Sequence, residues 1–143
     1  MTKHGVQQMR ILAGNFSQSQ KDKSMLAVIF EVEARPDQQQ GYLSLAAELR
    51  PLLAEQPGFI SIERFQSLTQ PGKILSLSFW QDDASVQAWR QREEHRRVQT
   101  AGREELFSNY RLRVAQVLRD YGLHEREQAP ADSREIHEQG TAR

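Results

Sequence analysis

The sequence predicts an α+β domain in the order β-α-β-β-α-β, a four-stranded antiparallel sheet with helices on one face. Three observations carry that reading. Apolar residues alternate with polar or mixed ones at a period of two in four separate stretches. A helical apolar period separates the first stretch from the second, and another separates the third from the fourth. The second and third stretches are joined by Thr69-Gln70-Pro71-Gly72-Lys73, whose Pro-Gly pair favours a type II turn and hence a hairpin. A chain of 143 residues holds one such domain with room for tails. The boundaries read as a polar N-terminal arm over 1–24, the domain over 25–122 and a polar, flexible C-terminal tail over 123–143.

The arm has a small apolar patch at Ile11, Leu12 and Phe16, which fits either a mobile tail or docking on a partner subunit. In the first strand, from Met25 to Ala34, Leu26, Val28, Phe30 and Val32 share one face and Ala27, Ile29, Glu31 and Glu33 the other. Arg35-Pro36-Asp37 stops it, and Asp37 is a plausible N-cap for the first helix. From Gln38 to Gln56, Tyr42, Leu45, Ala46, Leu49, Leu52 and Leu53 form one helical stripe, with Pro51 expected to kink or restart it. Pro57-Gly58 ends the helix.

The second strand, Phe59 to Leu68, puts Phe59, Ser61, Glu63 and Phe65 on one face and Ile60, Ile62, Arg64 and Gln66 on the other. In the third, Ile74 to Gln81, Leu75, Leu77 and Phe79 alternate with Ser76, Ser78 and Trp80. Asp82 and Asp83 offer an N-cap for a long helix from Asp83 to about Asn109, with Val86 and Trp89 on one face. Trp89 and His95 are six residues apart, roughly 240° around an ideal helix. Two helical segments meeting near Gln91 to Glu93 are therefore expected, the second carrying His95, Val98, Gly102 and Leu106 flanked by Phe107. A fourth strand, Tyr110 to Tyr121, sets Leu112, Val114 and Leu118 against Arg111, Arg113, Val117 and Arg119. The tail after Gly122 reads as disordered or loosely helical.

Lysine plus arginine total 19 and aspartate plus glutamate total 19, a formal charge of zero. That balance offers no long-range attraction for nucleic acid or anionic lipid. The absence of cysteine removes disulfides, thiolate metal sites and cysteine nucleophiles together. His4, His124 and His137 make no cluster with metal-ligand spacing, and no glycine-rich phosphate loop or flavin fingerprint is present. The longest apolar run, Met25 to Phe30, is too short to cross a bilayer, and the N-terminus lacks an apolar h-region. A cytoplasmic, soluble protein without metal is the expectation. The order of elements is that of the split-βαβ, ferredoxin-like arrangement. The far sheet face carries too much apolar surface to stay wet, so a homodimer packed sheet against sheet is expected.

The element order, the segment Pro57-Gly58-Phe59-Ile60-Ser61-Ile62-Glu63-Arg64-Phe65, the Phe79-Trp80 strand end, and Ala88-Trp89-Arg90 with Glu94-His95 resemble the antibiotic biosynthesis monooxygenase family. The resemblance runs from Met25 to about Gly122. It implies a dimeric α/β barrel with a ligand cleft between helices and sheet in each subunit. It also implies a choice of chemistries: cofactor-independent oxygenation of aromatic polyketides or quinols, haem degradation, or an unassigned reaction. The haem-degrading relatives use an asparagine on the first strand with a tryptophan and a histidine on the second long helix. Trp89 resembles that tryptophan and His95 stands for the histidine, sooner than in those enzymes; Ile29, Phe30 and Glu31 occupy the asparagine's region.

Each candidate has two readings. His95 suits a general base or haem ligand, since an ordinary imidazole titrates near neutrality, or it simply hydrogen-bonds a neighbour at a helix bend. Trp89 walls a pocket for a flat ligand or packs in the core, and Trp80 anchors the core or the dimer seam. Arg64 holds an anionic or phenolate oxygen, or pairs with a carboxylate such as Glu31. Glu63 and Tyr110 are lesser candidates. The expected pocket is lined by Phe30, Phe79, Trp89, His95 and Phe107, with His95 and Trp89 catalytic and Phe30, Arg64, Phe79 and Phe107 binding substrate. The expected function is a monooxygenase without flavin or metal acting on a small aromatic or quinone-type compound. Its alternatives are a non-catalytic small-molecule-binding or stress-associated dimer and a haem-degrading enzyme.

Overall fold

The structure, a computed structural model, describes residues 25–99 and 106–141; for 94–99 and 137–141 it describes the backbone alone. The expected arm over 1–24, and Gly102 of the expected helical stripe, lie outside the described residues. The elements, in chain order, are β1 Met25–Ala34, α1 Gln39–Glu55, β2 Phe59–Gln66, β3 Lys73–Trp80, α2 Asp83–Gln99, β4 Phe107–Val117 and α3 Ala131–Thr141. The strands form one antiparallel sheet in the order β2-β3-β1-β4, the ferredoxin-like topology expected from the element order.

Register divides the sheet into two faces. Leu26, Val28, Phe30 and Val32 stand opposite Trp80, Ser78, Ser76 and Ile74 of β3, and opposite Gln116, Val114, Leu112 and Tyr110 of β4. This is the helix-facing side. Val32 and Ile74 pack on Tyr42 of α1, while Trp80 packs on Leu53 of α1 and Val86 of α2. Tyr42, Ala46 and Leu53 are the buried stripe of α1, as its period requires. The outer face presents Ala27, Ile29 and Glu31 beside Phe79, Leu77 and Leu75, with Ser61, Glu63 and Phe65 of β2 next to them.

Several local expectations need correction. α2 runs from Asp83 to Gln99 without interruption, so no junction separates two segments at Gln91 to Glu93. The chain is already extended at Phe107, so the second helix does not reach Asn109, and β4 ends at Val117 rather than Tyr121. Phe107 therefore belongs to a strand. Its place is held by Arg35, whose backbone N–H bonds the Leu106 carbonyl at 2.8 Å and whose Nε bonds the Phe107 carbonyl at 3.1 Å. Asp37 does not cap α1: it sits at φ 70 in the preceding turn, Gln38 is the N-cap residue, and no side chain caps the helix. Pro51 lies inside α1 without ending it.

At the head of β2 a register shift between Phe59 and Ser61 sends Phe59 to the helix-facing side, where it packs with Trp80, not to the face of Ser61, Glu63 and Phe65. Asp82 caps α2 as expected, its Oδ1 accepting from the Ser85 N–H at 2.8 Å and the Ser85 hydroxyl at 2.7 Å. Beyond β4 the chain turns back on itself. The Arg126 guanidinium lies 5.4 Å from the Tyr121 ring centroid and donates to the Gly122 carbonyl and the Ser133 hydroxyl, tying the segment to the start of α3.

Candidate active site

The helix-facing side of the sheet carries two aromatic groups. In the first, Phe30 on β1 meets Phe107 and Tyr110 on β4 at ring-centroid separations of 6.2 and 5.7 Å, and Tyr42 on α1 closes over Phe107 at 5.5 Å. The edge-on and tilted geometries are those aromatic quadrupoles favour. Tyr110 is 60% exposed, so the group opens to solvent along the β4 edge. In the second, Trp80 meets Phe59 at 5.4 Å and Trp89 at 6.4 Å. Trp80 is 2% exposed and donates its indole N–H to the Ser78 hydroxyl at 2.9 Å.

Between Ile74 and Trp80 the helix-facing positions of β3 are serines, Ser76 and Ser78, both buried. Small polar side chains stand there where leucines would fill the layer. Ser76 pairs with Phe30 on one side and with Arg64 of β2 on the other. Arg64 is half-buried, its Nε donates to the Tyr42 hydroxyl at 3.4 Å, and its guanidinium carbon lies 6.0 Å from the Tyr42 ring centroid. A polar cluster of Arg64, Tyr42 and Ser76 thus adjoins the aromatic group of Phe30, Phe107 and Tyr110.

The residues singled out from the sequence separate accordingly. Phe30, Phe107 and Arg64 come together around Tyr42. Trp89 belongs to the neighbouring group, against Trp80. Phe79 does not join them: it stands opposite Ala27 and Ser61 on the outer face, because its neighbours Ser78 and Trp80 point to the helices. Arg64 does not pair with Glu31, which lies on the outer face and bridges Lys73 and Arg113, each at 3.5 Å. His95 lies on α2, and its side chain is outside the described residues. On the helix-facing side of β1 at the region of the haem-degrading asparagine stands the Phe30 ring, and β1 carries no amide side chain. The residue set thus departs there from the haem-degrading pattern.

Tyr42 and Ser76 were hidden in the sequence. Tyr42 falls on an apolar helical stripe, and a serine alternating with leucines reads as the solvent side of a strand. Outside this layer, a surface depression of about 320 Å³ lies on the outer face between Glu31, Phe65, Lys73, Leu75 and the hairpin turn.

A ferredoxin-like α+β domain with an aromatic helix–sheet layer is the class that the architecture defines. The profile of the antibiotic biosynthesis monooxygenase family matches residues 25–101, more than half of the chain, and the protein belongs to that family. Among characterised sequences it is similar to a jasmonate monooxygenase of Pyricularia oryzae, 48% identical over 93 residues. That match covers 65% of this chain and 43% of the fungal protein, so the chain spans less than half of that relative's length. It is 31% identical over 91 residues to the uncharacterised protein YqjZ of Bacillus subtilis, covering 64% of this chain and 77% of YqjZ. Among solved structures, SnoaB, a cofactor-independent oxygenase from Streptomyces nogalater, superposes with a TM-score of 0.57 at 14% identity, over 67% of this chain and 95% of that one. A Shewanella oneidensis protein gives 0.59 at 13% identity, over 66% and 91%. These structural likenesses establish the fold.

Proposed function

We propose that this protein is a cofactor-independent monooxygenase that oxidises a small aromatic or quinone-type compound between its helices and its sheet. The observation that carries this reading is the aromatic group Phe30, Phe107, Tyr110 and Tyr42, open at the β4 edge, in a chain of a monooxygenase family. A flat substrate slides against Phe30 and Phe107 and directs its oxygen toward Arg64. His95 on α2 acts as general base and removes the proton that makes the ring electron-rich, while Trp89, in the neighbouring group against Trp80, bounds the helix–sheet layer at its other end. The carbanion or phenolate form then reacts directly with oxygen. In a balanced turnover a ring methylene becomes a carbonyl: one oxygen atom is incorporated, the other leaves as water, and the substrate supplies all four electrons. No flavin or metal is needed for that balance. The protein works as a cytoplasmic homodimer, its outer sheet faces of Ile29, Leu75, Leu77 and Phe79 packed together.

Oxygen consumption by the purified, metal-stripped protein against a panel of phenols, quinols and anthrones tests the reading. Turnover without added cofactor is expected, with His95→Ala lowering kcat about 10²–10⁴-fold as for loss of a general base. An inert protein across the panel, or turnover indifferent to His95→Ala, overturns it. Retained binding without turnover would instead describe a small-molecule-binding dimer.

A further inference from the structure

The half-buried Arg64 guanidinium has one hydrogen bond among the described residues, to the Tyr42 hydroxyl, and no carboxylate partner there. Glu31 and Glu63, the acidic residues in the adjoining strand rows, are excluded by sheet parity, both lying on the outer face. A guanidinium half shielded from water keeps donors to offer, and its fork matches the two oxygens of a carboxylate better than the single oxygen of a phenol. Tyr42 is 5% exposed and accepts from Nε, which turns the guanidinium and leaves its own O–H available to donate. Ser76, 7% exposed and in register between Arg64 and Phe30, links this polar cluster to the aromatic group.

We infer that the compound bound in this layer is a small aromatic monocarboxylate, whose carboxylate is held by Arg64 with Tyr42 as its positioning residue. The inference rests on the helix–sheet layer being the substrate site, as proposed above, and narrows the substrate from neutral phenols and quinones to acids.

Calorimetric binding of 2-naphthoate, 2-naphthamide and 2-naphthol to the full chain tests it without requiring turnover. The three share a ring system and differ in charge and oxygen geometry. Naphthoate should bind at least about tenfold more tightly than naphthamide, the scale of one charge-assisted hydrogen-bond pair. Arg64→Gln should abolish that preference while leaving naphthamide affinity within about twofold, and Tyr42→Phe should remove only part of it, roughly three- to tenfold. Thermal melts of both variants report whether the fold survives, and Arg64→Lys, which keeps the charge but not the fork, should recover only part of the preference. Equal binding of naphthoate and naphthamide, naphthol binding as tightly as naphthoate, equal loss of all probes in Arg64→Gln, or no binding of any probe would each overturn the inference. Arg64-dependent naphthoate binding in a protein that consumes no oxygen would uphold it while removing the oxygenase reading.

Discussion

Gly58 and Ser85 meet where the start of β2 crosses the first turn of α2, so closely that a Cβ on Gly58 would collide with the Ser85 hydroxyl and lie 2.5 Å from the Ser85 Cβ. Gly58 also holds φ +85, a conformation that L side chains rarely adopt. Its carbonyl accepts from the Gln81 N–H at 2.8 Å, so the loop after α1 and the end of β3 are tied at the same point. The junction fixes α2 over the Trp80 end of the sheet.

Gly58→Ala should destabilise the protein by about 2–4 kcal/mol, combining left-handed backbone strain with a clash that neither side can avoid. Gly72→Ala, where an added Cβ meets nothing within 4 Å, is the control and should be near neutral. Chemical denaturation measures both. A Gly58→Ala protein of unchanged stability would mean that the two segments do not approach as described.

The Trp80–Ser78 hydrogen bond joins two buried groups, so its halves should be coupled. Ser78→Ala leaves an indole N–H unpaired and should cost about 1–3 kcal/mol. With Trp80→Phe already in place, the same serine change should cost clearly less, because no donor is stranded. A double-mutant cycle reads the coupling directly; simple additivity would refute it.

Capping of α2 by Asp82 predicts a third effect. Asp82→Ala should lower stability by about 1 kcal/mol or more, since two bonds to Ser85 go with it, and Asp82→Asn should retain most of the cap. Equilibrium unfolding distinguishes them. Equal losses in the two variants would point to the charge at the helix terminus rather than the hydrogen bond.

The homodimer reading predicts that a charge at the middle of the outer face separates the subunits. Leu77→Asp lies between Ile29 and Glu63 in the sheet and leaves the helix-facing core untouched. Sedimentation should show monomers with a melting temperature close to that of the dissociated wild type. Persistent dimers would place the seam elsewhere.

Element order, the hairpin and the cap at Asp82 were legible from residue spacing because each depends on a local rule: a period of two, a Pro-Gly pair, a carboxylate before a helix. The stripe Tyr42, Ala46 and Leu53 was legible for the same reason. A helix junction near Gln91 to Glu93 is required only if Trp89 and His95 share one side of the helix. Backbone hydrogen bonding along α2 imposes no such demand, and the helix continues to Gln99. Of the residues singled out for the site, Phe30, Phe107 and Arg64 converge, Trp89 joins the neighbouring group, Phe79 falls on the outer face, and the His95 side chain lies outside the described residues.

By itself the sequence determined the class of fold, the order and approximate place of the strands and the family, since periodicity and short motifs are properties of neighbouring residues. Only the tertiary structure decided which face of β3 lies beneath the helices. Hydrophobicity favours Leu75, Leu77 and Phe79 for that role, yet pairing with β1 places Ser76, Ser78 and Trp80 there. The reason is geometric: cross-strand register forces paired residues onto the same face, and a sheet apolar on both sides gives the local pattern nothing by which to choose.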